Sequence, residues 1–107
     1  MKIDKNLALK TLAERQQIFK TFFQHGSLEV EVYQPKEKDL QQPHSRDEVY
    51  IIIDGSGEFI NDGQRTSFAP GDFLFVPAGV EHRFENFTDD FSTWVIFYGP
   101  EGGENPD

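Results

Sequence analysis

Cysteine is absent from the 107 residues, which excludes disulfides, thiolate nucleophiles and sulfur-ligated metal sites. Any metal would have to be held by nitrogen and oxygen. No apolar run is long enough to span a bilayer. The first ten residues carry charges throughout and lack the continuous apolar stretch of a secretory leader. The expectation is a soluble, cytoplasmic protein. Basic residues are also scarce: ten Lys and Arg stand against nineteen Asp and Glu, for a formal charge of −9. A surface of that sign repels phosphate backbones and anionic lipid, which argues against nucleic-acid and membrane partners. Missing too are a serine-histidine-acid arrangement, a phosphate-cradling glycine loop and a dinucleotide fingerprint.

Phenylalanine is plentiful instead. Eleven Phe in a chain of this length let one small core bury much aromatic surface. The reading is a single domain over residues 1–100, with a short surface helix over residues 6–17 carried by Leu7, Leu9 and Leu12. An acidic, glycine-rich tail, residues 101–107, is expected to be disordered. Between them, short strand-like runs alternate with turn signals. Leu28, Val30 and Val32 alternate with Glu29, Glu31 and Tyr33, the pattern of a half-buried strand with a polar outer face. Residues 49–53 form a strongly β-prone run, and Asn61-Asp62-Gly63 marks a hairpin. Residues 92–98 are apolar on both faces and read as buried on both. Many short strands with little helix predict an antiparallel all-β sandwich or barrel.

The chain is organised around residues 70–86, PGDFLFVPAGVEHRFEN. A short apolar strand leads into the Pro77-Ala78-Gly79 turn, and His82 opens an alternating segment. His82, Phe84 and Asn86 fall on one face, with Arg83, Glu85 and Phe87 on the other. Upstream, His44 and Glu48 are four apart, so in an extended segment both point the same way. Two imidazoles and one carboxylate, each near a strand start, have the donor chemistry to converge on one divalent metal. The alternative is three polar residues unconnected in space. By strand parity Arg46 is aimed with His44 and Glu48, Tyr50 and Ile52 share the Glu48 face, and Phe84 shares the His82 face. These four are the candidate lining of a substrate pocket. His25 reads as a surface residue. An apolar outer sheet face would favour a homodimer.

Gly71, Pro77, Gly79, His82 and Asn86 are spaced as a glycine, five residues, Pro-x-Gly, two residues, His, three residues, Asn, and six residues separate Glu48 from Gly55. In both stretches the chain resembles the cupin superfamily, in its compact single-domain form. The resemblance implies an antiparallel jelly-roll β-barrel with His44, Glu48 and His82 as metal ligands. Where the family pattern has a further histidine, this chain has Gln42, the implied fourth ligand. The cofactor so implied is one divalent ion, Fe, Mn, Ni or Zn, and the partner a small-molecule ligand. The leading function is a mononuclear-metal enzyme of dioxygenase type. A Lewis-acid isomerase or lyase and a non-catalytic small-molecule or sugar-binding module are the alternatives.

Overall fold

A computed structural model of the protein describes residues 1–105. Helix α1, Lys5–Arg15, is capped by Asp4, whose carboxylate accepts hydrogen bonds from the Asn6 and Leu7 backbone amides. It stops short of the expected residue 17 because Gln16 takes a left-handed conformation, φ 54°. Its buried face is built on Ala8 and Leu12, one turn apart, with Leu9 beside them, while Leu7 stays exposed.

Eight strands follow: β1 Phe19–His25, β2 Leu28–Tyr33, β3 Asp47–Asp54, β4 Gly57–Asn61, β5 Gln64–Phe68, β6 Phe73–Val76, β7 His82–Glu85 and β8 Ser92–Tyr98. They form two antiparallel sheets, one in the order β1-β2-β8-β3-β6 and one in the order β5-β4-β7. Tyr50, Val95 and Val76 of the first sheet share a buried core with Phe59, Phe68 and Phe84 of the second. Phe91 completes it from the connection before β8. Ladder hydrogen bonding stays within each sheet among the described residues. No helix among the described residues is long and apolar enough to cross a membrane.

The faces of β2 are reversed from the expectation. Val32 points outward and is fully buried under α1 with Ala8, Leu12 and Ile53. Tyr33 belongs to the core between the sheets, and Glu31 sits opposite Val95, a core residue of β8. The helix supplies an apolar cover that alternation within the strand cannot reveal, so the polar face is turned inside. The same cover explains β8, whose Val95 faces the inner core while Trp94 packs against the helix cluster.

Alternation after His82 ends sooner than expected. His82 and Phe84 are buried and Arg83 is exposed, but Asn86 adopts φ 52° and leaves the strand. Its amide donates to Glu58, and Phe87 packs against the core instead of facing away from it. The tail also departs from the expectation as far as Glu104. Gly102 N–H donates to the Ser45 carbonyl, and Glu104 N–H to the Asp47 carboxylate. Residues 106 and 107 lie outside the described residues.

Asp47 is buried and accepts from two distant amides, Ala78 at 3.0 Å and Glu104 at 2.8 Å. It ties β3 to the Pro77–Gly79 turn and to the tail. Asp47→Ala strands both donors, and a loss of about 1–3 kcal/mol is expected in urea denaturation.

Candidate metal centre

Two turns carry the site. His44 sits in the irregular approach to β3, where its carbonyl accepts from Gly79 N–H at 2.7 Å. That bond joins the segment before β3 to the turn that delivers His82. Glu48 is the second residue of β3 and fully buried, and His82 is the first residue of β7 and buried. The His44 and His82 rings lie 5.3 Å apart, and His44 also meets the Phe97 ring edge-on at 4.9 Å.

One ligand atom from each of His44, Glu48 and His82 falls within 4.8 Å of the others. His44 Nε2 is 3.7 Å from one Glu48 carboxylate oxygen, and His82 Nε2 is 3.1 Å from the other. Neither contact has hydrogen-bond geometry, and both Glu48 oxygens are buried without a hydrogen-bond partner. A buried carboxylate left in that state is costly unless a cation joins it. His82 Nδ1 faces the Val80 carbonyl at 2.9 Å, which fixes a proton on Nδ1 and leaves Nε2 directed at Glu48 and Tyr50. The donor set therefore suits a divalent ion, with an N–H···O=C bond behind one imidazole as metal-ligating histidines commonly have.

In the metal-free protein a proton answers the same demand. Burial works to lower the His82 pKa, but Glu48 and the Val80 carbonyl outweigh it and hold the imidazolium above the usual histidine range. A raised folded pKa means the folded state binds the proton more tightly. The stabilisation is complete below the ordinary histidine value and is lost as pH rises through the higher folded one. Denaturation of EDTA-treated protein across that window is expected to show this decline in the parent and not in His82→Ala.

A chain of hydrogen bonds meets the two histidines at the same Nε2 atoms that approach Glu48. The Tyr50 hydroxyl, 3.1 Å from His82 Nε2, donates to Gln41 Oε1 at 2.8 Å, and His44 Nε2 lies 3.3 Å from the same oxygen. Gln41 Nε2 donates to Asp39, which fixes the amide with its oxygen toward the histidines. Asp39 also accepts from the Tyr33 hydroxyl and from the Gln41 and Phe84 backbone amides. Asp39→Ala is expected to cost about 1–3 kcal/mol, because it leaves the Phe84 amide and Tyr33 hydroxyl without this partner.

Beside His44 and Glu48 opens a cavity of about 270 Å³. Phe19, Tyr33, Val95 and Phe97 make its apolar wall, and Glu31 and Gln41 add polar groups. Burial pushes the Glu31 carboxyl up against the opposing hydrogen bond from Thr21, and Glu29 and Glu48 push it further.

The three expected ligands thus come together, and the expected pocket lining largely does not. Gln42 is exposed, and the amide at the site is Gln41. The preceding loop is not a strand, so parity gives no guide to which glutamine turns inward. Arg46 donates to the Gly99 carbonyl and pairs with Glu29, away from the cavity lining. Ile52 and Phe84 are core residues, and Tyr50 is buried behind the histidines. His25 is exposed, as expected. Asp39, Gln41 and Glu31 were not singled out from the sequence. Only Glu31 left a trace, as the residue two before Tyr33 on the same strand face.

An antiparallel double sheet with a His-Glu-His cluster at one end of its core defines the class: a small β-fold protein with a candidate metal centre. The cupin-domain family model matches residues 29–98, and the chain belongs to that family. An uncharacterized protein of Streptomyces coelicolor is 38% identical over 63 residues, 59% of this chain and 60% of that protein. Acireductone dioxygenase of Rhodopseudomonas palustris is 53% identical over 45 residues, 38% of this chain and 27% of the enzyme. The chain thus spans 60% and 27% of the length of these two relatives, less than two thirds of either. The solved structure of protein NMB1881 from Neisseria meningitidis matches with a TM-score of 0.73 at 21% identity, over 92% of this chain and all of that one. A cupin-2 domain protein from Shewanella frigidimarina matches at 0.69 and 17% identity, over 91% and 94%. These two likenesses concern the fold.

Proposed function

We propose that the protein is a metal-dependent cupin of dioxygenase type, acting on a small molecule in the cavity beside His44. The observation that carries this reading is the buried Glu48 carboxylate, whose unpartnered oxygens face Nε2 of two histidines at the edge of a cavity. His44, Glu48 and His82 would hold one divalent ion. Two imidazoles and one carboxylate with open positions are the ligand set associated with non-haem Fe(II) oxygenases. Such an ion, when bound, would supply oxygen activation or Lewis-acid polarisation. The local likeness to acireductone dioxygenases supports the first of these.

The chain's own residues provide the surroundings. The Val80 carbonyl holds the proton on His82 Nδ1. Asp39 and Gln41 orient the amide oxygen toward Tyr50 and His44. Phe19, Tyr33 and Phe97 give the cavity an apolar wall. Exposed Phe73 and Phe75 on edge strand β6 support the further reading of a homodimer.

Oxygen uptake is the test. Protein loaded with Fe(II) is expected to consume oxygen with one or more members of a panel of small hydroxylated compounds, and His82→Ala is not. Turnover that persists without oxygen would replace this reading with Lewis-acid chemistry.

A further inference from the structure

The charges around the cavity point to what it admits. Beside the Tyr33 phenol, its ionisable lining consists of Glu31, His44 and Glu48, with no lysine or arginine. Arg46 donates through Nε to the Gly99 carbonyl and pairs through Nη1 with Glu29, and Lys20 donates to the Thr21 carbonyl and lies over the Phe22 ring. Lys36 and Lys38 line a neighbouring groove that shares Phe19, Tyr33 and Gln41 with the cavity. Glu31 stands on the inward face of β2, and Thr21 Oγ1 donates to its Oε2 at 3.2 Å. Among the described residues its Oε1 has no hydrogen-bond donor. Glu31 is thus a half-buried carboxylate, anchored by one oxygen and free to accept through the other.

From this placement we infer that Glu31 is the specificity-determining residue of the cavity. It selects a neutral or cationic molecule of about one ring that presents a hydroxyl or amine, and it rejects anions. The inference rests on the proposed site as the place where the substrate lies. A volume of about 270 Å³ is near the lower end for small-molecule pockets, and aromatic walls on Phe19, Tyr33 and Phe97 suit a flat apolar body. Anions are disfavoured with or without a metal. Without one, Glu31 and Glu48 make the cavity negative. With a divalent ion on Glu48, the second carboxylate offsets the remaining positive charge, so an anion gains no net attraction.

Three one-ring probes of matched size test this by calorimetric titration: benzylamine, benzyl alcohol and benzoate. Each is measured on EDTA-treated and on zinc-loaded protein, with metal content determined separately by elemental analysis. The parent is expected to bind benzylamine at least roughly tenfold more tightly than benzoate, with benzyl alcohol between them. Glu31→Gln, which preserves shape and an acceptor for Thr21, is expected to erase most of that ratio while leaving metal content unchanged. Glu58→Gln, on the far strand β4 and paired with Arg65, is expected to leave the ratio intact. Benzoate bound as tightly as benzylamine by the parent would overturn the inference, as would an unchanged ratio in Glu31→Gln or no binding of any probe. Loss of the metal reading is seen separately, as absence of metal from the parent, and leaves the EDTA-treated comparison to judge Glu31.

Discussion

Glu48→Gln is expected to weaken metal binding by a hundredfold or more while leaving the metal-free protein as stable as the parent, or more stable by about 1–3 kcal/mol. The two effects run in opposite directions for one reason. Glu48 is fully buried, and neither of its oxygens has a hydrogen-bond partner. In the metal-free state its charge is a burden, relieved only in part by the proton on His82. An amide of the same shape removes the charge and brings its own donors. With a metal held as proposed, the same carboxylate would be the anionic ligand of the set, and its loss would leave two neutral imidazoles. A residue that merely supported the fold would lower stability when replaced and leave metal content alone. Calorimetry on EDTA-treated protein, paired with metal titration, separates the two cases. His82→Ala completes the comparison: it also removes metal, but it strands the Glu48 charge and is expected to destabilise the metal-free protein.

Gly55→Ala is expected to cost about 3 kcal/mol, a fall in Tm of roughly 10–20 °C. Gly55 follows β3 with φ +88°, a region that L side chains rarely adopt. A Cβ there would lie 2.5 Å from the Phe91 Cα and 2.7 Å from Thr88 Oγ1. Neither neighbour can give way freely. Phe91 is fully buried, with its ring 4.6 Å from Phe84 and 4.9 Å from Phe68, and Thr88 Oγ1 accepts the Ser56 amide. Gly71 provides the internal control. Its φ is +89°, but nothing lies within 4 Å of a Cβ placed there. Gly71→Ala therefore meets only the backbone strain, about 1–2 kcal/mol. Thermal melts of the two variants isolate the steric part, and equal losses would contradict the close approach.

What could be read from the sequence followed local rules. The spacing from Gly71 to Asn86, the pair Glu48 and Gly55, and the four-residue step from His44 to Glu48 located the turns, the strands and all three members of the His-Glu-His cluster. The spacing works because turns and strand starts are set by residues close in the chain. Orientation was harder. The face of β2 depended on α1, a distant element that buries Val32 from outside and so sends Glu31 inward. The choice of Gln41 over Gln42 depended on Asp39, whose carboxylate gathers Tyr33, Gln41 and Phe84 from three parts of the chain. Arg46 was misplaced because parity was applied to a stretch that becomes strand only at Asp47. For β2 and for Gln41 the missing information included contacts with distant segments, which no pattern within one segment contains.

The most direct test of the central claim is elemental analysis of the untagged protein, purified and then equilibrated in turn with Fe(II), Mn, Ni and Zn. Close to one divalent ion per chain is expected for at least one of these metals, and none in His44→Ala or His82→Ala. A parent protein that takes up none of the four would contradict it, and the Glu48 carboxylate would then have only the His82 proton to answer its charge.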